Sequence, residues 1–311
     1  MAHVHGLLVG LLIVWLASPA KSDTPLAPGD YTRTLHFGGR ERSYLVHVPL
    51  GYRASRPTPV VLVFHGAMIN AWIMVHYCGL NETADKHGFV AVYPNGTGPL
   101  GVLLTFNGGN CCGTAQWDHV DDVGFTRALL DDLAKVVKVD ARRVYAAGIS
   151  NGGILCYRLA SELSDRIAAI APVAAAMGTP TCHPKRPVSV IDFHGTDDPI
   201  VPFKGGMGKQ GPVRVTFTPV EASIRAWVKA DGCPPKPAIV KLLVKIGDGT
   251  TVERKTYGPG KEGTEVVLYV IHGGGHTWPG KPPRLDFLGR STKNISANDL
   301  IWDFFQRHPM R

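Results

Sequence analysis

The sequence predicts an α/β protein whose mainly parallel sheet is covered by helices on both faces. Residues 60–64 form a continuous apolar run, which is typical of a strand buried on both faces, and residues 188–193 form another predicted buried strand. These runs alternate along the chain with helical stretches, which indicates parallel strands joined by helical crossovers. The 311 residues are 44% hydrophobic, enough to bury a large core without disulfides or a metal.

The first predicted elements are an antiparallel strand pair around Tyr31 and residues 43–48, turning at Gly38 and Gly39. Asp121 and Asp122 stand where an N-terminal cap and a first-turn acid belong, ahead of a helix that reaches Val136. The remaining elements are, in order, helix 81–87, strand 89–93, a glycine-rich loop 94–120, strand 143–147, helix 151–163, strands 167–173 and 188–193, helix 220–230, a hairpin turn at 247–249 and strand 266–271.

The start of the chain carries an apolar segment, residues 6–17, followed by the small residues Ala17, Ser18, Ala20 and Ser22. This order is typical of a secretory signal and its cleavage site. We expect a signal peptide over residues 1–22 and a secreted protein. An uncleaved anchor or a misassigned start codon is the alternative, because no lysine or arginine precedes the apolar segment.

The remaining residues, 23–311, are expected to form a single domain, since no repeat or linker-like tract divides them. The formal charge of +8 comes from basic residues that are scattered rather than clustered. Scattered charge does not support nucleic-acid binding. We expect no nucleic-acid partner and no membrane partner after signal removal.

The even number of cysteines suggests disulfides in an exported protein. We favour Cys182 with Cys233, and Cys78 with either member of the adjacent pair Cys111 and Cys112, among the fifteen full pairings that six cysteines allow. The chain has no CxxC spacing and an adjacent pair suits one tetrahedral zinc site poorly, so no metal is expected. The sixth cysteine, Cys156, falls in a predicted helix and is expected to be a buried thiol.

Residues 148–153 read Gly-Ile-Ser-Asn-Gly-Gly between a predicted strand and a predicted helix. They match the pattern G-x-S-x-G, in which small neighbours let a serine occupy a sharp, strained turn with its hydroxyl exposed above the sheet. The bracketing strand and helix make the match much more specific than the pattern alone. We therefore predict that Ser150 is a nucleophile.

A serine hydroxyl needs a base to accept its proton and an acid to orient that base. His276 follows the last strand and three glycines, which predicts the base; His272 is the rival. Asp198 follows strand 188–193 and is predicted as the acid, with Asp197 as the alternative. His272 and His276 do not form a metal pair, because their spacing suits a helix and this segment is a loop.

Acyl transfer also needs amide donors for the developing oxyanion. Asn151 follows the nucleophile and supplies the first predicted donor. Ala67 lies in the loop that follows strand 60–64 and supplies the second. His65, in the same loop, is expected to position the loop rather than transfer protons.

The motifs together resemble the secreted polyhydroxybutyrate depolymerase-like esterases of the α/β-hydrolase superfamily, close to the feruloyl and acetylxylan esterases. The resemblance runs from about Tyr31 to the end and implies an α/β-hydrolase fold with Ser150, Asp198 and His276 as its triad. Its residues are Phe64-His65-Gly66, Ala84 to Phe89, Val120 to Phe125, Gly148 to Gly153, Phe193 to Thr196, Gly273 to Gly280 and Ile301 to Phe305.

This resemblance implies hydrolysis of a carboxylic ester without a cofactor. We expect feruloyl or acetyl esters of plant polysaccharide as substrates, with polyhydroxyalkanoate oligomers as the alternative. A catalytically silent carbohydrate-binding protein is the alternative of another class. Trp72, Trp117 and Trp278 are candidates for aromatic walls around the substrate, and core packing is their other interpretation.

Overall fold

The computed structural model describes residues 24–211 and 214–311, and the backbone without the side chain at Leu100. The expected signal peptide, residues 1–22, lies outside the described residues. The helices are α1 (Ala71–Cys78), α2 (Leu80–His87), α3 (Gly113–Trp117), α4 (Asp122–Val136), α5 (Asn151–Glu162), α6 (Val220–Ala230) and α7 (Ala297–Arg307). The strands are β1 (Gly29–Phe37), β2 (Arg40–Val48), β3 (Thr58–Phe64), β4 (Val90–Pro94), β5 (Val139–Ile149), β6 (Ala169–Val173), β7 (Ser189–Gly195), β8 (Gly206–Met207), β9 (Thr216–Phe217), β10 (Ala238–Lys241), β11 (Thr251–Tyr257) and β12 (Val266–His272).

Ten of the strands in the described ranges form one sheet in the order β1-β2-β4-β3-β5-β6-β7-β12-β11-β10. The six central strands, from β4 to β12, run parallel, and an antiparallel pair flanks them on each side. The predicted mainly parallel sheet is therefore confirmed. The first hairpin turns at Gly38 and Gly39, which have φ values of 57° and 72°, in the left-handed region that glycine adopts without strain.

The sheet buries side chains on both faces because successive residues of a strand point to opposite sides. On one face, Val60, Leu62 and Phe64 of β3 pack with α4, α5 and α6. On the other face, Val61 and Val63 pack with α1, α2 and α7. The expected covering of both faces by helices is confirmed, and the carboxyl ends of the parallel strands are left at one edge of the sheet.

Two helices of this covering were not predicted. The α1 segment is apolar almost throughout, so its sequence lacks the polar face that marks an amphipathic helix. The side chain of Asn70 accepts a hydrogen bond from the amide of Ile73 and thereby starts the helix. The C-terminal helix α7 begins in the same way at Ser296, whose hydroxyl accepts from the amide of Asp299.

A buried ion pair joins the first hairpin to the helix α4. Arg42 Nη2 lies 2.7 Å from Asp122 Oδ1, and both side chains are buried. The guanidinium also donates to the carbonyl of Asn95 and lies over the ring of Phe125. Asp122 Oδ2 accepts from the amide of Asn107, so this pair also fixes the long loop between β4 and α4.

We predict that Arg42→Met destabilises the protein by about 3 kcal/mol, because it leaves the Asp122 carboxylate buried without its cation. Arg40→Met is the matched control: its ion pair with Asp118 is about half exposed, and such pairs contribute less than about 1 kcal/mol. The loss of stability in each variant is measured as the change in its free energy of unfolding, obtained from urea titrations. Equal losses in the two variants would contradict the role given to the buried pair.

Candidate active site

Ser150 occupies a strained turn between β5 and α5. Its φ of 56° and ψ of −124° are a backbone conformation that residues with a side chain rarely adopt. The turn leaves no room for side chains at its neighbours: a Cβ at Gly148 would lie 2.6 Å from the carbonyl carbon of Gly152, and a Cβ at Gly152 would collide with the carbonyl of Phe64. The amide of Ser150 donates to the carbonyl of Val173 on β6. The pattern G-x-S-x-G is therefore a steric requirement of this turn.

His276 and Asp198 are joined by a hydrogen bond of 2.8 Å between Nδ1 and Oδ2. Asp198 follows β7 and His276 follows β12, and these strands are parallel neighbours in the sheet. The other carboxylate oxygen, Oδ1, accepts from the amides of Ile200 and Val201 at 2.8 Å each. Burial acts to raise the pKa of Asp198, but His276, His194 and the Val201 amide outweigh it and hold the pKa below its ordinary value.

The alternatives left open for acid and base lie elsewhere. Asp197 is exposed, and its carboxylate accepts from the hydroxyl of Thr196. His272 is exposed at the end of β12, where it is paired with Thr251. The structure thus brings Asp198, and not Asp197, to His276.

Ser150 and His276 line the same cavity, which has a volume of about 320 Å³. Among the hydrogen bonds of the described residues, none joins Ser150 Oγ to the imidazole. Most of the other lining side chains are apolar, and the exceptions include Tyr77 and Arg284.

Several lining residues were not identified from the sequence. They come from segments far apart along the chain, so no local pattern connects them. They are Met68, Ile69, Tyr77, Ile154, Ile200, Phe217, Arg284, Leu285, Phe287 and Leu288, together with Cys111 and Cys112.

The predicted amide donors flank the serine. Ala67 lines the cavity, and Asn151 begins α5 directly after Ser150. In the described part of the chain neither amide donates to a protein acceptor. The side chain of Asn151 is buried and makes two bonds to Phe106: Oδ1 accepts from its amide and Nδ2 donates to its carbonyl. These bonds hold the glycine-rich loop against the start of α5.

His65 is fully buried in the loop after β3. Its Nδ1 donates to the carbonyl of Gly66, and its Nε2 accepts from the amide of Gly96. Nε2 can accept only when it carries no proton, so the bonding pattern requires a neutral ring. Burial lowers the pKa of His65 to about 4, which keeps the ring neutral at physiological pH. These contacts agree with the predicted loop-positioning role.

The three tryptophans expected as aromatic walls do not line this cavity. Trp278 is fully buried, and its indole donates to Asn298 Oδ1 in the core between the sheet and α7. Trp117 ends α3 and is 70% exposed, whereas Trp72, on α1, lines a different groove. Trp278 and Trp72 are close in sequence to His276 and Ala67, but their own segments point the indoles away from the cavity.

The expected disulfide pairings are also corrected. Cys111 and Cys112 are bonded to each other, so neither pairs with Cys78, which is buried in the core cluster on α1. Cys182 and Cys233 are thiols, and the Cys233 sulfur lies 3.8 Å from the carbonyl oxygen of Thr264. The predicted buried thiol at Cys156, the remaining cysteine, is confirmed.

Within residues 24–211 and 214–311, no group of three histidine, cysteine, aspartate or glutamate side chains could hold a metal ion. None of the helices in these same ranges has the length and apolar character needed to cross a bilayer.

The sequence is similar to those of several esterases. The chain is 32% identical over 295 residues to NocK of Nocardia uniformis subsp. tsuyamanensis, which is named as an esterase; the match covers 90% of this chain and 84% of NocK. Feruloyl esterase B of Piromyces equi is 31% identical over 243 residues, covering 76% of this chain and 42% of that protein. Feruloyl esterase D of Neurospora crassa is 25% identical, and the match covers 99% of both chains. No protein-family model matches the chain.

Solved structures share the fold. The native pOPH crystal structure has a TM-score of 0.55 and 16% identity, and the match covers 93% of this chain and 91% of that chain. The acetyl xylan esterase from Aspergillus awamori has a TM-score of 0.50 and 13% identity, with 76% and 89% covered. With the sheet order, the serine turn and the relatedness to NocK, the chain belongs to the feruloyl and acetylxylan esterase-like family of α/β-hydrolases and is a carboxylic ester hydrolase.

Proposed function

We propose that this chain is a secreted serine esterase that removes feruloyl or acetyl groups from plant polysaccharide through an acyl-enzyme on Ser150. The observation that carries the proposal is the Asp198–His276 hydrogen bond beside the cavity that Ser150 also lines. A hydroxyl is a weak nucleophile near neutral pH, and this arrangement supplies a base together with the carboxylate that orients it.

In the first step, Ser150 Oγ attacks the ester carbonyl while His276 Nε2 takes the hydroxyl proton. Asp198 accepts from Nδ1 and stabilises the imidazolium that forms. The bond between the carbonyl carbon and the alcohol oxygen then breaks, and His276 returns the proton to the departing alcohol. Water attacks the acyl-enzyme by the same route in reverse, which releases the carboxylic acid and restores the serine hydroxyl.

The negative charge that develops on the carbonyl oxygen needs donors already in place. The amides of Ala67 and Asn151 flank Ser150 and are not used by protein acceptors within the described ranges. We assign them to this oxyanion. Donors held by the folded backbone stabilise the transition state without reorganising, and the loss of one such donor typically reduces kcat by a factor of about 10² to 10³.

The size and lining of the cavity support a small acyl group. A volume of about 320 Å³ is at the lower end for small-molecule sites and suits one acyl group rather than a polymer chain. The apolar side chains of Ile154, Phe217 and Phe287 suit an aromatic ring or a methyl group. Relatives named feruloyl esterase and acetylxylan esterase agree with these acyl groups.

A second candidate function is hydrolysis of hydroxyalkanoate oligomers, and Arg284 is the observation that favours it. Among the described residues that line the cavity, Arg284 is the only lysine or arginine, and it lies over the Tyr77 ring. Each free oligomer ends in a carboxylate, which a guanidinium binds well. Feruloyl and acetyl esters of neutral sugars offer no such group.

Two broader parts of the proposal rest on the sequence. The apolar segment at residues 6–17 and the small residues after it support export. The absence of a linker-like tract in residues 23–311 supports one catalytic domain. Sequencing the amino terminus of protein recovered from the medium or periplasm tests the export: a start near residue 23 is expected, and a start at Met1 contradicts it.

We predict that Ser150→Ala abolishes hydrolysis of methyl ferulate, acetylated xylan and 4-nitrophenyl acetate while the circular dichroism spectrum stays unchanged. Only the nucleophilic oxygen is removed, and the backbone of the turn remains. Labelling by a fluorophosphonate probe provides the control, because only an activated serine reacts with it. Wild-type protein that resists the probe would instead support the silent carbohydrate-binding protein.

We predict that Asp198→Asn lowers kcat by a factor of about 10⁴, because the amide cannot hold the imidazole in the required tautomer. Asp197→Asn is the matched control, since the carboxylate of Asp197 is exposed and does not contact His276. Both variants are compared with the wild type by their kcat on 4-nitrophenyl acetate. A loss confined to Asp197→Asn would reverse the assignment of the acid.

We predict that Arg284→Gln lowers kcat/KM about tenfold for a hydroxybutyrate trimer with a free carboxylate and leaves that for its methyl ester unchanged, since a hydrogen-bonded charge contributes about 1.5 kcal/mol. Arg290→Gln is the control, because Arg290 does not line the cavity. In the wild type, a higher kcat/KM for the trimer than for methyl ferulate and acetylated xylan would establish the second candidate function.

A further inference from the structure

A second groove, here called the hairpin groove, lies between the β1–β2 hairpin and the helix α1 and has a volume of about 320 Å³. Asp30 is paired with His47 across the hairpin, and Thr32 is the next residue along β1 whose side chain points to the same face. The helix α1 contributes Trp72 and His76 from the opposite side. None of these residues belongs to the catalytic cavity.

Among the described residues that line the hairpin groove, Trp72 is the exposed large hydrophobic residue. Its side chain is 56% exposed, which is unusual for an indole. The imidazole of His76 packs against it with 4.3 Å between ring centroids, and His76 Nδ1 donates to the carbonyl of Trp72. The indole is thus supported on a rigid helix while a large part of its surface stays available to a ligand.

Polar groups line the hairpin groove together with this indole. The carboxylate of Asp30 is 60% exposed and accepts from His47 Nδ1 at 2.8 Å. The hydroxyl of Thr32 is on an exposed residue and can both donate and accept. Among the described residues, no lysine or arginine lines the hairpin groove, and the carboxylate of Asp30 disfavours an anionic ligand. An aromatic surface with acceptor and hydroxyl groups around it suits a ligand that has an apolar face and many hydroxyls.

We propose that the hairpin groove binds uncharged sugar units of the polysaccharide that carries the ester. This inference rests on the proposed function, since it assigns the groove to the same substrate. The helix α1 connects the two sites: Trp72 lies near its start, and Tyr77, which lines the catalytic cavity, is five residues later, about 8 Å along the helix axis. The two sites therefore share α1 as a wall.

A site of this kind contributes to binding of the polymer and leaves the chemical step unchanged. We expect Trp72→Ala to raise KM for acetylated xylan about tenfold, the loss typical of a buried aromatic anchor, with kcat unchanged. Both constants for 4-nitrophenyl acetate stay at their wild-type values, because this ester has no sugar. Trp117→Ala is the matched control: it removes another exposed tryptophan, outside both sites, and leaves every constant unchanged.

Direct binding separates this inference from the proposed function. Calorimetry with xylohexaose, which carries no ester, is performed on the full chain with Ser150→Ala. We expect binding that Trp72→Ala abolishes and Trp117→Ala preserves. Thr32→Arg, which places a long charged side chain in the hairpin groove from the opposite wall, is expected to abolish it as well.

Each outcome has one meaning. Xylohexaose binding that depends on Trp72 supports the hairpin groove even if the wild type fails to hydrolyse acetylated xylan, and in that case only the proposed substrate fails. Hydrolysis of acetylated xylan with the same KM in Trp72→Ala and the wild type overturns the groove and leaves the proposed function intact. Absence of xylohexaose binding, or binding that persists in both Trp72→Ala and Thr32→Arg, also overturns it.

Discussion

The turn at Ser150 is the constraint on which the rest of the site depends. A serine with φ of 56° costs about 1–3 kcal/mol relative to a relaxed backbone and persists only where its surroundings over-determine it. Here β3, β5 and α5 meet so closely that Gly148 and Gly152 have no space for a Cβ. The same closeness brings the loop after β3, with Ala67, beside the serine. One steric arrangement therefore fixes both the nucleophile and the loop expected to stabilise the oxyanion.

Close backbone approach also governs the second half of the site. A Cβ at Gly195, the last residue of β7, would lie 2.6 Å from the carbonyl oxygen of Gly275. The absence of side chains there lets the loop after β12 cross the end of β7, which brings His276 to Asp198. Once they meet, burial strengthens their interaction because little water screens it. The glycines before His276 thus allow the close backbone approach, while Asp198 and His276 provide the charge interaction.

The sequence predicted what depends on short segments of chain, and this includes most of the parallel sheet, the turn at Ser150 and the meeting of Asp198 with His276. It could not predict features decided by distant contacts. The helix α1 was missed because its apolar sequence is explained only by the sheet it packs on. Cys78 was expected to pair with Cys111 or Cys112, yet Cys78 belongs to a different cluster from that adjacent pair. Nothing local to Arg284 indicates that it lines the catalytic cavity.

Trp278 illustrates how a wrong assignment can still identify an important residue. It does not contact the cavity, but its amide donates to the hydroxyl of Tyr77 and its indole donates to Asn298. Asn298 in turn donates to the carbonyl of Cys78 at the end of α1. The loop that carries His276 is therefore tied to α1 directly and through α7. Because α1 forms a wall of both the catalytic cavity and the hairpin groove, these bonds fix the position of the base relative to both surfaces.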